Sequence, residues 1–138
     1  MSEENLETVR QLFEVFRDGL ERGDPVAGFD SDYVTADLEW ITLPGVGLGT
    51  YRGREGFREF MRHWTGEFKD WRIELEELID AGENAVVAMY RQTATGRAGR
   101  VPVELHQGAI HEFRDGRVCR IENFPTPEEA LEAAGLSE

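Results

Sequence analysis

Proton transfer near neutral pH needs a carboxylate or an imidazole in suitable surroundings, and Glu39, His106 and His111 offer one. Glu39 lies between Leu38 and Trp40. Facing an apolar pocket, it would lose hydration, its pKa would rise and it would serve as a base. Facing solvent, it would be a rim carboxylate or an ion-pair partner. His111 shares the parity of Gln107 and Ala109, so strand alternation turns all three to one side. His106 takes the other side unless a bulge intervenes at Gly108. An interior histidine can shuttle protons; the competing reading is a structural or interface histidine. His63 flanks an aromatic stripe and belongs at its margin.

Large rings are the second chemical signal. Phe13, Phe16, Trp40, Trp64 and Tyr90 could wall a pocket for a planar apolar molecule, with Gln107 also placed on it and Tyr90 and Asn123 supplying hydrogen bonds. Each ring would serve equally well as ordinary core. Three dispersed histidines lack metal-ligand spacing, so neither a metal nor a cofactor is expected. Pro44–Gly49 holds three glycines but no following Lys and Ser/Thr, which excludes a phosphate loop. No Ser-His-Asp or Cys-His nucleophile is legible.

Composition narrows the partners. The chain has 138 residues, 40% hydrophobic and 31% charged, enough for one domain over 1–138 with a real core. Its 28 acids against 15 bases leave a formal charge of −13, the wrong sign for nucleic acid or an anionic membrane surface. The single cysteine, Cys119, excludes an internal disulfide and any multi-thiolate site. It sits in an apolar strand, where a free thiol behaves as a small hydrophobe. With no apolar leader and no membrane-length run, a cytoplasmic protein is expected.

These side chains need elements to position them. Leu6, Val9, Leu12, Phe13, Phe16 and Leu20 recur at helical spacing, ended by Arg22-Gly23-Asp24-Pro25. A short second helix is expected over Val26–Tyr33. Asp37–Leu43 reads as a strand and Thr50–Gly53 as a brief edge strand. Phe57, Phe60, Met61, Trp64 and Phe68 form one stripe of a helix over Arg54–Phe68. Strands follow at Trp71–Asp80, with a bulge suggested by Glu76-Glu77, and at Ala85–Thr95. Val101–Phe124 reads as a long hairpin turning at Asp115-Gly116, a pair that supplies the positive φ of a tight turn. Pro127 opens a last short helix, closed by Gly135. Segregated helices and antiparallel strands argue an α+β fold, its curved sheet wrapped around the first and third helices.

In this order the chain resembles the SnoaL-like group of the NTF2-like superfamily. The matching pieces are Glu21-Arg22-Gly23-Asp24, Ala36–Trp40, Tyr51–Phe57, Phe113–Val118 and Pro127–Leu136. The resemblance implies a cone, a curved antiparallel sheet with helices closing a pocket, and a homodimer through the outer sheet face. Its members include polyketide cyclases, ketosteroid isomerases, dehydratases, epoxide hydrolases and non-catalytic binders. The ketosteroid isomerase pattern, a tyrosine and two acids, would fall on Phe16, Leu43 and Ala109, none of which carries the group. Three functions stay open: a cofactor-independent acid/base enzyme acting on an apolar ring-containing substrate, a non-catalytic binder of such a molecule, and a protein-interaction module.

Overall fold

The computed structural model describes residues 2–24, 32–43 and 49–136. Most of the helix expected over Val26–Tyr33 and most of the loop from Pro44 lie outside the described residues; Asp32 and Tyr33, at its expected end, form a turn. The described residues form, in chain order, α1 (Ser2–Glu21), β1 (Val34–Ile41), β2 (Thr50–Arg52), α2 (Gly53–Glu67), β3 (Phe68–Asp80), β4 (Ala85–Gly96), β5 (Pro102–Arg114), β6 (Arg117–Phe124) and α3 (Pro127–Ala133).

The strands join in one curved, unclosed sheet of order β2-β1-β6-β5-β4-β3. Neighbours run antiparallel except β1 and β6, which pair parallel. That pairing brings the first strand beside the last and places Trp40 opposite Ile121. The β5–β6 turn has Asp115 at φ 54° and Gly116 at φ 79°, the left-handed pair that the Asp-Gly sequence provides. The β3–β4 register shifts between Leu75 and Glu77, so the bulge expected there is present.

Helices α1 and α2 lie on the concave side. Helix α1 buries Val9, Leu12 and Phe16, while α2 buries Phe57, Phe60, Met61 and Trp64. They meet Leu38, Val86, Ala88, Tyr90, Ala109, Phe113, Val118 and Ile121 from the sheet in one core. Gly23, at φ 80°, turns the chain out of α1, and the Asp24 N–H closes back on the Gly19 carbonyl at 2.7 Å. Helix α3 packs on the convex side, where Ala130 joins Val87 and Ile110 in a second cluster. Its approach needs Gly108, since a Cβ there would stand 2.6 Å from the Ala130 Cβ and 3.1 Å from the Pro127 Cα.

Candidate functional site

Alternation along three neighbouring strands builds the floor of a cavity. Tyr90 and Gln92 from β4, Gln107, Ala109 and His111 from β5, and Ile121 and Asn123 from β6 all turn to the concave side. Helix α1 contributes Leu12, Phe13 and Phe16; α2 contributes Phe60 and Trp64; β1 and β3 contribute Trp40 and Trp71. The cavity encloses about 80 Å³. Phe16 and Trp71 meet edge-on with centroids 5.2 Å apart, Trp64 and Trp71 (5.4 Å) and Phe13 and Tyr90 (5.6 Å) are tilted, and Phe60 stacks on Trp64 at 6.1 Å. All seven residues expected to bind ligand (Phe13, Phe16, Trp40, Trp64, Tyr90, Gln107 and Asn123) line this one space.

Of the three acid/base candidates, only His111 is on the cavity wall. It is buried, its ring centroid lies 6.0 Å from that of Phe13, and Nδ1 has no hydrogen-bond partner among the described residues. Burial pushes its pKa down to about 4, against a smaller opposing pull from the backbone of Ala109 and Val86, so the imidazole is neutral at pH 7.

His106 and Glu39, carried as acid/base candidates, both lie outside the cavity, each on the outward alternative left open for it. The β4–β5 register runs unbroken through Gly108, so no bulge rotates His106 inward. It is exposed on the convex face, with Nε2 3.1 Å from Glu104 and Nδ1 3.4 Å from Glu76. Glu39 sits between the inward-facing Leu38 and Trp40 and therefore points outward. Its carboxylate, 24% exposed, meets Arg52 at 2.7 Å and Arg120 at 2.9 Å. Arg120 also pairs with Glu112, so the four charges alternate across β2, β1, β6 and β5 as a cross-strand ladder.

Two polar chains cross the cavity wall. Trp71 Nε1 donates to Gln92 Oε1 at 2.7 Å, and Gln92 Nε2 donates to Gln107 Oε1. The Tyr90 hydroxyl donates to Asn123 Oδ1 at 2.7 Å, and Asn123 Nδ2 donates to the Ile41 carbonyl at 2.9 Å. Burial drives the Tyr90 phenol well above its ordinary pKa, so it stays protonated. Trp71 and Gln92 were not among the expected site residues. The signal for them was present, since Gln92 is two residues from Tyr90 on one strand and Trp71 two from Ile73 on another. Phe16, Leu43 and Ala109 all line the cavity and keep it apolar where the isomerase pattern needs polar groups. No group of three His, Cys, Asp or Glu among the described residues is arranged to hold a metal ion. No described helix is long and apolar enough to cross a membrane.

Solved structures share this architecture. An NTF2-like protein of unknown function from Burkholderia pseudomallei superposes with a TM-score of 0.72 at 23% identity, covering 94% of this chain and 95% of that one. TerC, co-crystallised with polyporic acid, gives a TM-score of 0.73 at 23% identity over 96% and 98% of the two chains. A putative polyketide cyclase from Xanthomonas campestris pv. campestris gives 0.62 at 19% identity over 94% and 98%. At these identities the likeness is one of fold. No curated protein matches the chain. The model of the SnoaL-like domain matches residues 9–121, and the chain accordingly belongs to the SnoaL-like domain family, with an NTF2-like fold.

Proposed function

We propose that the cavity takes an apolar, ring-containing small molecule and that His111 exchanges a proton with it, without cofactor or metal. One observation carries this reading: His111 is the imidazole of the cavity wall, buried beside Phe13, and its Nδ1 has no hydrogen-bond partner among the described residues. A neutral imidazole can take a proton from an acidic C–H and return it to another atom of the same molecule, which serves an isomerisation or a ring closure. Its low pKa makes it a weak base when the site is empty. A substrate that becomes an anion beside it favours the protonated ring and strengthens it during the reaction. The fold shared with TerC and with a putative polyketide cyclase supports a small-molecule role.

At about 80 Å³ the space is below the roughly 300–1,000 Å³ typical of drug-sized sites. A two-ring ligand therefore requires the half-buried Phe13, Trp40 or Trp71 to change rotamer. The apolar Phe16, Leu43 and Ala109, with no carboxylate among the described residues of the wall, favour a second reading, binding without chemistry.

Deuterium exchange separates the two. 1-Indanone carries acidic C–H groups beside its carbonyl, and NMR in heavy water follows their loss. An enzyme speeds the exchange and His111→Gln abolishes the acceleration. Binding with no acceleration in the wild type selects the second reading, and no binding of any small aromatic compound removes both.

The homodimer implied by the family is assigned to the convex sheet face, where the ladder through Arg120 presents charges already matched within one chain. Sedimentation equilibrium should show a dimer; a monomer at every concentration rejects the assignment.

A further inference from the structure

Strand β3 is the last of the sheet, and a second recess lies where it begins, between it and the end of α1. Its volume is about 740 Å³. Trp71 and Ile73 belong both to its wall and to that of the cavity, so the two spaces adjoin. Among the described residues of this wall, five cations (Arg17, Lys69, Arg72, Arg91 and Arg97) stand against three carboxylates (Glu21, Asp70 and Glu74). That local excess of two positive charges reverses the balance of the chain, which is −13.

A bulge in β3 gathers the cluster. Lys69 pairs with Thr95 and Arg72 with Thr93, so three steps along β3 match two along β4. The extra residue falls in the segment where Asp70 has φ 54°. Without it, Lys69 and Arg72, an odd number of residues apart, would point to opposite faces. With it, both stand on the face of Arg91, Thr93 and Thr95. Arg17 joins from α1, and Arg97, just after β4, is fixed through Nε, which donates to the Thr65 carbonyl at 2.8 Å. Arg17, Lys69 and Arg72 have no carboxylate partner among the described residues, and Arg91 meets Glu74 at 3.4 Å and Glu104 at 3.7 Å. Cations collected this way repel one another, and an anion between them would relieve the repulsion. Half-buried Leu20, Phe68, Trp71 and Ile73 give the recess an apolar side as well.

We infer that this recess is a second ligand site, outside the cavity, for the phosphate group of a small aromatic molecule. Guanidinium forks match phosphate oxygens in geometry, and an excess of two charges matches a dianion. The acidity of the whole chain does not decide the matter. At physiological salt, charges farther than about 8 Å are largely screened, so the recess is governed by its own wall.

Phenyl phosphate is the probe, with phenol and inorganic phosphate as its two halves. The conditions are about 150 mM salt and about pH 7.5, where a phosphate monoester carries close to two charges. Backbone-amide NMR locates the binding: shifts at Arg17, Leu20, Lys69, Arg72 and Thr93 mark the recess, and shifts at Ala109, His111 and Asn123 mark the cavity. The expected result is recess shifts by phenyl phosphate with Kd below about 1 mM, about tenfold tighter than either half. Arg17→Gln and Arg72→Gln, at exposed positions on different elements, should each weaken it about fivefold. Arg62→Gln, an exposed position on α2 outside the recess, should leave it unchanged. A Kd above about 1 mM, shifts confined to the cavity, or no advantage over inorganic phosphate overturns the inference. So does binding unchanged in both Arg17→Gln and Arg72→Gln, or an equal loss in Arg62→Gln. None of these outcomes touches the reading of His111, which stands or falls by the exchange experiment.

Discussion

At the scale of single residues, burial decides which ionisable groups can act. His111 is held neutral because its charged form would sit among rings. In the unfolded chain it titrates near 6.5, so between about pH 6.5 and 4 the unfolded state binds a proton that the folded state refuses. Stability therefore falls as pH drops through that window, by about 3 kcal/mol at most from this residue. Urea denaturation at pH 7 and pH 4 should show His111→Gln losing correspondingly less than the wild type. An equal loss in both would mean the imidazole is not shielded. Glu39 shows the opposite case. Paired with Arg52 and Arg120 outside the cavity, its change to Gln should shift stability by about 1 kcal/mol or less and leave probe binding untouched, checked by melting and titration. The face of His111 was legible from the alternation of Gln107, Ala109 and His111. That of Glu39 was legible too, because Leu38 and Trp40 on either side are inward-facing apolar residues. The charge of Glu39 drew attention that its parity did not justify.

Among elements, α3 shows how much one close contact can fix. Gly108 lies under Ala130, and adding a methyl there pushes against the α3 backbone at Pro127 as well as against a side chain. Gly108→Ala should cost about 1–3 kcal/mol by chemical denaturation, with α3 displaced. Unchanged stability would show the helix to be loosely seated. The helix is also held at its start, where Thr126 Oγ1 accepts the Glu129 N–H at 3.2 Å, and Thr126→Ala should cost about 1 kcal/mol. Long periodic elements were readable because burial on one side leaves a repeat in sequence: α1, α2, the bulge of β3 and the β5–β6 hairpin fell where their patterns put them, while Phe68, read as the last residue of the α2 stripe, instead opens β3, which starts before the expected Trp71. The parallel seam between β1 and β6 was not readable. Nothing local in an eight-residue strand records which distant strand will lie beside it or in which direction.

For the whole molecule, a charge of −13 means that folding gathers mutually repelling acids. Screening should relieve this, so the melting temperature should rise from low to moderate salt, as followed by calorimetry. A fall would show that ion pairs such as those of Arg120 outweigh the repulsion. The strands form a base held from behind by α3, while α1 is fastened at its start where Asn5 Nδ2 donates to the Glu83 carbonyl at 2.9 Å. The two sides of the hollow therefore differ in how easily they can be rebuilt. Changes on the sheet side disturb hydrogen-bonded neighbours on both flanks, whereas exchanging Leu12, Phe13 and Phe16 alters the ceiling alone. New ligand tastes, whether reached by natural drift or in the laboratory, should accumulate along that first helix and spare the strands beneath it.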